Sequence, residues 1–217
     1  MNQKHVIVAG NIGVGKTSLV SLLAAKLDWE PFFEPEQANP YLSDFYQNMS
    51  GWAFHSQIYF LSRRLKAHHE ISRFNRTVLQ DRSVYEDAEI FARNLHLQGY
   101  INQRGFLTYC ELFQTTLELL PPPDLVIYLR ASVPVLMKRI KHRGRDYEKN
   151  IESEYLDELN QLYERWISDF TLCPVLTIPA DNMDYVEKTA HLDLIMSKVQ
   201  EKLTGKEIVV FSPEEIG

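Results

Sequence analysis

Cysteine is almost missing from this chain. Cys110 and Cys173 are the two in 217 residues, they lack metal-ligand spacing, and both sit among apolar neighbours. Such usage speaks against a disulfide framework or a zinc module, and for reduced, packed thiols in a reducing compartment. Positive charge is in deficit: 23 Lys and Arg stand against 29 Asp and Glu, a formal net charge of −6. Binding a nucleic acid requires a basic surface to neutralise phosphates, so no such partner is expected. The local basic cluster from Lys138 to Arg145 suits a small anionic ligand instead. No apolar run approaches the roughly 18 residues of a membrane span, and no basic-then-apolar leader opens the sequence. Internal repeats and low-complexity segments are lacking too. The expectation is one cytoplasmic domain over 1–217, with no membrane partner and 45% hydrophobic residues to build its core.

Glycine is scarce, nine in all, yet three of the nine fall between Gly10 and Gly15. Val6 to Ala9 is an apolar run that reads as a buried strand. Gly10-x-x-x-x-Gly15-Lys16-Thr17 follows in the pattern of a phosphate-binding loop, and Ser18 to Leu27 is a helical stretch. The spacing has a physical reason. Glycines let the backbone turn until successive N–H groups converge on phosphate oxygens, at a helix N-terminus whose dipole favours negative charge. The cofactor site is therefore placed on Gly10, Asn11, Ile12, Gly13, Val14, Gly15, Lys16, Thr17 and Ser18, for a nucleoside triphosphate. Lys16 would reach the β- and γ-phosphates, and the Thr17 hydroxyl would sit on Mg²⁺.

Further strands are expected over 29–33, 77–80, 124–129 and 175–178. They alternate with helical patterns over 53–74, 84–96, 105–120, 134–142, 152–168 and 183–203. This alternation predicts an α/β fold of the P-loop NTPase type. Its five-stranded parallel sheet is covered by helices on both faces, and the ligand lies at the carboxyl ends of the strands. The helix over 105–120 is apolar almost all round, through Phe106, Tyr109, Leu112, Phe113 and Leu117, which implies burial on two sides. Lys206 to Ser212 reads as either an extra strand or an ordered tail.

Polar residues collect where the strands end. Glu34, between Phe33 and Pro35, is a candidate base or else a solvated loop acid. Asp81 reaches Mg²⁺ through water, pairs with Arg82, or does both. Arg139 and Arg143 stand four apart on one helix face, and Gly144 permits a bend before Arg145. Three guanidinium forks suit the spread charge of a transferring phosphoryl group; the alternative is a solvated basic helix end. An arginine-bearing lid is placed at about 141–152.

Together these residues resemble the deoxyribonucleoside kinase family, which includes deoxycytidine, deoxyguanosine and deoxyadenosine kinases. The resemblance runs from Val6 to about Ile178. It rests on the phosphate loop, Glu34-Pro35, Trp52 to Gln57, Asp81-Arg82-Ser83-Val84-Tyr85 and Arg143-Gly144-Arg145. Asn39-Pro40-Tyr41-Leu42, Gln57-Ile58-Tyr59-Phe60-Leu61 and Tyr163-Glu164-Arg165-Trp166-Ile167 are similar to the bacterial-type deoxyadenosine kinases.

The resemblance implies transfer of the ATP γ-phosphoryl group to the 5′-hydroxyl of a deoxynucleoside. Deoxyadenosine is the expected acceptor, with deoxycytidine and deoxyguanosine secondary. It makes Glu34 the general base and puts Arg82 on the reacting oxygen. Tyr46 and Glu148 then hold the sugar 3′-hydroxyl, Gln57 reads the base edge, and Arg64 with Asp87 forms the charged pair deeper in the pocket. Trp52 and Phe54 would wall the nucleoside, and Phe113 would stack on the base. Catalytic roles fall to Glu34, Arg82, Lys16, Arg139, Arg143 and Arg145, and metal binding to Thr17 and Asp81. A homodimer through the helices over 53–74 and 105–120 is implied as well.

Two departures stand out: Asp81 where the family often has Glu, and Glu36 where valine is common. Apart from the family, Tyr46, Trp52, Phe54 and Phe113 would read as core aromatics, and Arg64–Asp87 as a structural ion pair. The seven histidines show no metal-site pattern and are given no function. Two rival functions exist. A nucleoside monophosphate kinase should offer a second basic site for its acceptor phosphate, and a non-catalytic nucleotide-binding subunit should have lost Lys16, Glu34 or the lid arginines.

Overall fold

A computed structural model describes residues 3–33, 39–145, 148, 151–206 and 209–216. Its centre is β1 (His5–Gly10), buried at every position. A strand enclosed on both faces needs apolar side chains pointing both ways, which the run Val6-Ile7-Val8-Ala9 supplies. Flanking it in parallel are β3 (Val78–Asp81) and β4 (Leu125–Arg130), with β2 (Glu30–Phe32) and β5 (Val175–Pro179) at the edges, giving the order β2-β3-β1-β4-β5. The register pairs Val8 with Asp81 and Gly10 with Leu129, so all the carboxyl ends reach one edge.

Alternation along β1 divides the core. Val6 and Val8 face α1 (Lys16–Leu27), α7 (Val133–Arg143) and α9 (Thr189–Leu203) through Leu19, Leu23, Leu136, Ile140, Leu192 and Ile195. Ile7 and Ala9 face α3 (Met49–Ile71), α6 (Gln103–Leu117) and α8 (Ser153–Asp169) through Leu61, Tyr109, Leu159 and Trp166. The expected five-stranded parallel sheet with helices on both faces is what forms.

Several boundaries differ from expectation, each for a local reason. The stretch after β3 is not one regular helix: α4 (Val84–Glu86) leads into a π-helical segment, Asp87–Ala92, and then α5 (Arg93–Leu97). A short α2 (Leu42–Gln47) was not anticipated. The closing helix starts at Thr189, not Met183, because Asp184 forms a turn in which its N–H donates to His191 Nδ1 at 2.8 Å and its carboxylate accepts from the Glu187 N–H at 3.0 Å. Residues 209–212 form no strand; Val209 and Phe211 pack on the core and lead to α10 (Pro213–Ile216). The two-sided burial expected of the apolar helix is not met within the chain. In α6 only Tyr109 and Phe113 are buried, while Leu107 and Leu112 are 57% and 45% exposed. Among the described residues no helix is long and apolar enough to cross a membrane.

Candidate active site

At the carboxyl edge, β1 runs through the glycine loop into α1. Gly15 caps α1 with φ 104°, a left-handed conformation in which a side chain is strained. A Cβ there would also stand 2.5 Å from the Tyr185 hydroxyl, and one at Gly10 would stand 2.7 Å from the Leu129 carbonyl oxygen. The loop is thus backed by close neighbours, and its carbonyls are engaged. Arg139 donates to the Val14 and Ala180 oxygens, both at 2.8 Å, and the Tyr185 hydroxyl donates to the Gly15 oxygen at 3.1 Å. Burial pushes the Tyr185 hydroxyl up to about 12, so it remains a donor. Lys16 Nζ bonds the Gly10 and Asn11 oxygens at 2.8 and 3.1 Å. The Asn11 amide is committed to α8, donating to the Leu156 oxygen at 2.9 Å and to Asn160 Oδ1 at 2.8 Å.

Next to the loop, the end of β3 supplies Asp81. The Thr17 hydroxyl donates to its Oδ2 at 2.6 Å, and its Oδ1 is buried with no hydrogen-bond partner among the described residues. Hard cations such as Mg²⁺ take oxygen ligands from one or two carboxylates together with substrate phosphates and water. A hydroxyl and a carboxylate with an unmatched oxygen fit that need. No cluster of three His, Cys, Asp or Glu side chains of metal-binding type occurs among the described residues.

Arg82 follows with φ 64°, and its N–H donates to the Val8 oxygen at 3.0 Å, locking the turn to β1. The left-handed backbone is a strained conformation for a long side chain, of a kind that concentrates at functional sites. Its guanidinium lies over the Phe91 ring, 4.4 Å from the centroid, and donates to the Tyr163 hydroxyl at 3.1 Å.

A cleft of about 1200 Å³ joins these groups to a second end lined by buried polar side chains. There α3 presents Gln57 and the π-helical segment presents Asp87, both nearly buried, with Phe45, Tyr46, Phe60, Phe91 and Tyr155 around them. Arg64 Nε pairs with Asp87 Oδ2 at 3.2 Å, and Arg64 Nη1 donates to the Asp81 oxygen at the same distance, tying the pair to the end of β3. Gln57 Oε1 is buried with no hydrogen-bond partner among the described residues.

From the segment expected as a lid come Arg143, Arg145 and Glu148, which also line the cleft. Arg143 bonds the Glu148 carboxylate, and Arg145 Nη1 lies 3.7 Å from it. Glu148 is thus an ion-pair partner of both arginines and lines the same cleft as Tyr46. Phe113, Trp52 and Phe54 do not line the cleft. Phe113 packs edge-on against Tyr85 in the core, Trp52 stacks on Tyr41, and Phe54 lies between two hydrophobic clusters. Glu34 and residues 146, 147, 149 and 150 of the expected lid lie outside the described residues.

The model of the family described as deoxynucleoside kinase matches residues 6–204, nearly the whole chain. The chain belongs to the deoxynucleoside kinase family. Among curated relatives, the deoxyadenosine/deoxycytidine kinase of Bacillus subtilis is 36% identical over 89% of this chain and 90% of its own length. The deoxyadenosine kinase of Dictyostelium discoideum is 38% identical over 80% of this chain and 71% of its own. Among solved structures, deoxyadenosine kinase from M. mycoides with products dCMP and a flexible dCDP bound superposes with a TM-score of 0.81 at 30% identity, covering 91% of this chain and 99% of that one. The same enzyme with dATP bound gives 0.80.

Sequence reasoning passed over several residues in the site of this deoxynucleoside kinase. Phe91 stands four residues after Asp87 on the same segment, and that spacing was the available signal. Tyr155 and Tyr185 line the cleft from segments distant in sequence, and no motif marks them. Glu86 forms a capping box with Ser83, a pattern legible as Ser-x-x-Glu, but its second oxygen turns to the phosphate loop.

Proposed function

We propose that this kinase moves the γ-phosphoryl group of ATP to the 5′-hydroxyl of deoxyadenosine, with deoxycytidine and deoxyguanosine as secondary acceptors. The observation that carries the acceptor assignment is the second end of the cleft. There the unmatched Gln57 Oε1 stands with the buried Arg64–Asp87 pair. Buried polar groups need partners, and a base that leaves them unpaired is rejected by roughly 10⁴–10⁵ where a site is built for the full set. Adenine and cytosine each offer an amino group and a ring nitrogen along one edge; thymine offers no amino group. The names of the relatives point the same way, since they are deoxyadenosine, deoxycytidine and deoxyguanosine kinases.

In this reading the loop N–H groups and Lys16 hold the triphosphate, and Arg139 and Tyr185 keep the loop carbonyls turned away. Thr17 and Asp81 would hold Mg²⁺, which supplies charge neutralisation at the phosphates. Arg82 sits at the accepting oxygen and Glu34 takes its proton. Tyr46 and Glu148 hold the sugar 3′-hydroxyl, and Arg143 and Arg145 turn from Glu148 to the transferring group. Position and charge do most of the work, as phosphoryl transfer requires. We further assign a cytoplasmic homodimer, supported by the free thiols of Cys110 and Cys173 and by the exposed leucines of α6.

The test is transfer of labelled phosphate from ATP to each of the four deoxynucleosides and to deoxyadenosine monophosphate. Label on deoxyadenosine in preference to thymidine is expected. Label on the monophosphate alone would place the chain with the nucleotide kinases, and thymidine turned over equally well would remove the base-reading assignment.

A further inference from the structure

Glu86 takes no part in the chemistry above, yet its carboxylate is fully enclosed beneath the cleft. A buried carboxylate is costly unless its oxygens are satisfied. Oε2 accepts from the Ser83 N–H at 2.9 Å and the Ser83 hydroxyl at 3.3 Å, which is the capping of α4. Capping accounts for that oxygen alone. Oε1 turns the other way: it accepts from the Gly10 N–H at 3.2 Å and the Tyr163 hydroxyl at 2.8 Å, and it stands 3.9 Å from Arg82 Nη1.

Tyr163 meets Gly10 and Arg82 as well, from the opposite side. Its hydroxyl accepts from Arg82 Nη1 at 3.1 Å and lies 2.9 Å from the Gly10 oxygen. One hydroxyl proton cannot serve Glu86 and the Gly10 carbonyl at once, so it is shared between them, and Lys16 Nζ donates to that carbonyl as well. The ring is fixed by stacking on Tyr128 at 5.7 Å. Burial, with Glu86 alongside, holds the phenol well above its usual range, so it remains a donor. The junction therefore links the first glycine of the phosphate loop, the arginine assigned to the accepting oxygen, and α8, the helix that follows the expected lid and also grips Asn11.

We propose that Glu86 and Tyr163 are positioning residues that set Arg82 relative to the phosphate loop, so that the transferring phosphoryl group and the accepting oxygen meet in line. The proposal rests on the reading of Arg82 given above. In-line transfer is sensitive to such placement, a 1 Å error costing about a hundredfold in rate.

Tyr163→Phe keeps the ring, the stacking and the capping box while removing the hydroxyl. Its kcat should fall on the order of 10- to 100-fold, with KM for ATP and for deoxyadenosine within about threefold of wild type, the signature of an interaction used in the transition state. Glu86→Gln, which puts an amide donor against N–H groups, should lose at least as much. In an Arg82→Ala background, Tyr163→Phe should cost nothing further, since it acts through that arginine. Unchanged kcat in Tyr163→Phe, a loss expressed wholly in KM, or full additivity with Arg82→Ala would each overturn the proposal. If Glu86→Gln does not fold, Tyr163→Phe decides alone. Transfer by the wild type tests the underlying kinase reading, and the ratio of variant to wild type tests the junction, so the two failures are separable.

Discussion

Two carboxylates in the proposed mechanism work at different moments, and substitution should separate them. Glu34 acts on a proton in the transition state, so Glu34→Gln should lower kcat by about 10²–10⁴ while ATP binding, followed by titration, stays within a few-fold. Equal losses in both would point to misfolding. Asp87 acts on the bound base through Arg64, and Asp87→Ala should shift the preference from deoxyadenosine towards thymidine. It should also lower stability by about 3 kcal/mol, because the buried Arg64 loses its pairing with Asp87. An unchanged acceptor ranking would sink the base-reading role. At this scale the sequence was most informative where chemistry demands a fixed spacing, as from Gly10 to Thr17 and at Asp81-Arg82. It was silent where partners meet across the fold. Tyr163 reaches Gly10 from 153 positions away, and Phe113, read as a stacking ring, belongs to the core while Phe91 takes the place beside Arg82.

Elements were legible wherever one periodicity ruled. β1, β3 and β4 fall where the apolar runs do, since strands enclosed on both faces require such runs, and β5 at the edge follows its own short run with alternating burial. The π-helical segment and the late start of α9 were not legible, because each depends on side chains that bond back to their own turn or to a neighbouring helix. The start of β1 carries a further consequence. His5 Nε2 bonds Gln80 Oε1 at 2.7 Å, its ring meets the edge of His68 from α3 at 4.9 Å, and its backbone N–H donates to Asp124, which also pairs with Lys4. Burial first, then His68, lowers the His5 pKa to about 4, outweighing Gln80 and Asp124. Folding thus favours the neutral ring, and the unfolded chain binds a proton that the folded one refuses. His5 contributes stability that is present above about pH 6.5 and is lost as pH falls towards 4, on the order of 3 kcal/mol in full. Chemical denaturation at pH 7.5 and pH 5 should show this loss, and His5→Gln should flatten it. An equal pH dependence in the variant would refute the assignment.

Over the whole molecule, alternating strands and helices were enough to fix the parallel sheet and its two helical layers. The sequence also marked α6 as too apolar for a surface helix, and the chain itself buries only one side of it. Leu107 and Leu112, exposed at the two margins of its outer surface, are the contacts that we assign to a second copy. Leu112→Glu should therefore move the protein from dimer to monomer in light scattering, with the cleft still able to bind ATP because α6 contributes nothing to its walls. A variant that remains dimeric would send the search for the interface elsewhere. Nothing in one sequence could separate a buried stripe from a shared one, since both satisfy the same periodicity.

The backing of the phosphate loop has a consequence for how this enzyme can diversify. Gly10 rests against the backbone of β4 and Gly15 against the ring of Tyr185, so the loop is cast in a mould whose far side is filled. A lineage evolving from this chain cannot reshape its grip on phosphate by single substitutions there. The end of the cleft that we assign to the acceptor is built from replaceable side chains on α3 and the π-helical segment. Drift towards new nucleosides would thus run through Gln57, Asp87 and Phe91 while the phosphate end stays constant, and a directed library confined to those positions would sample most of the accessible novelty.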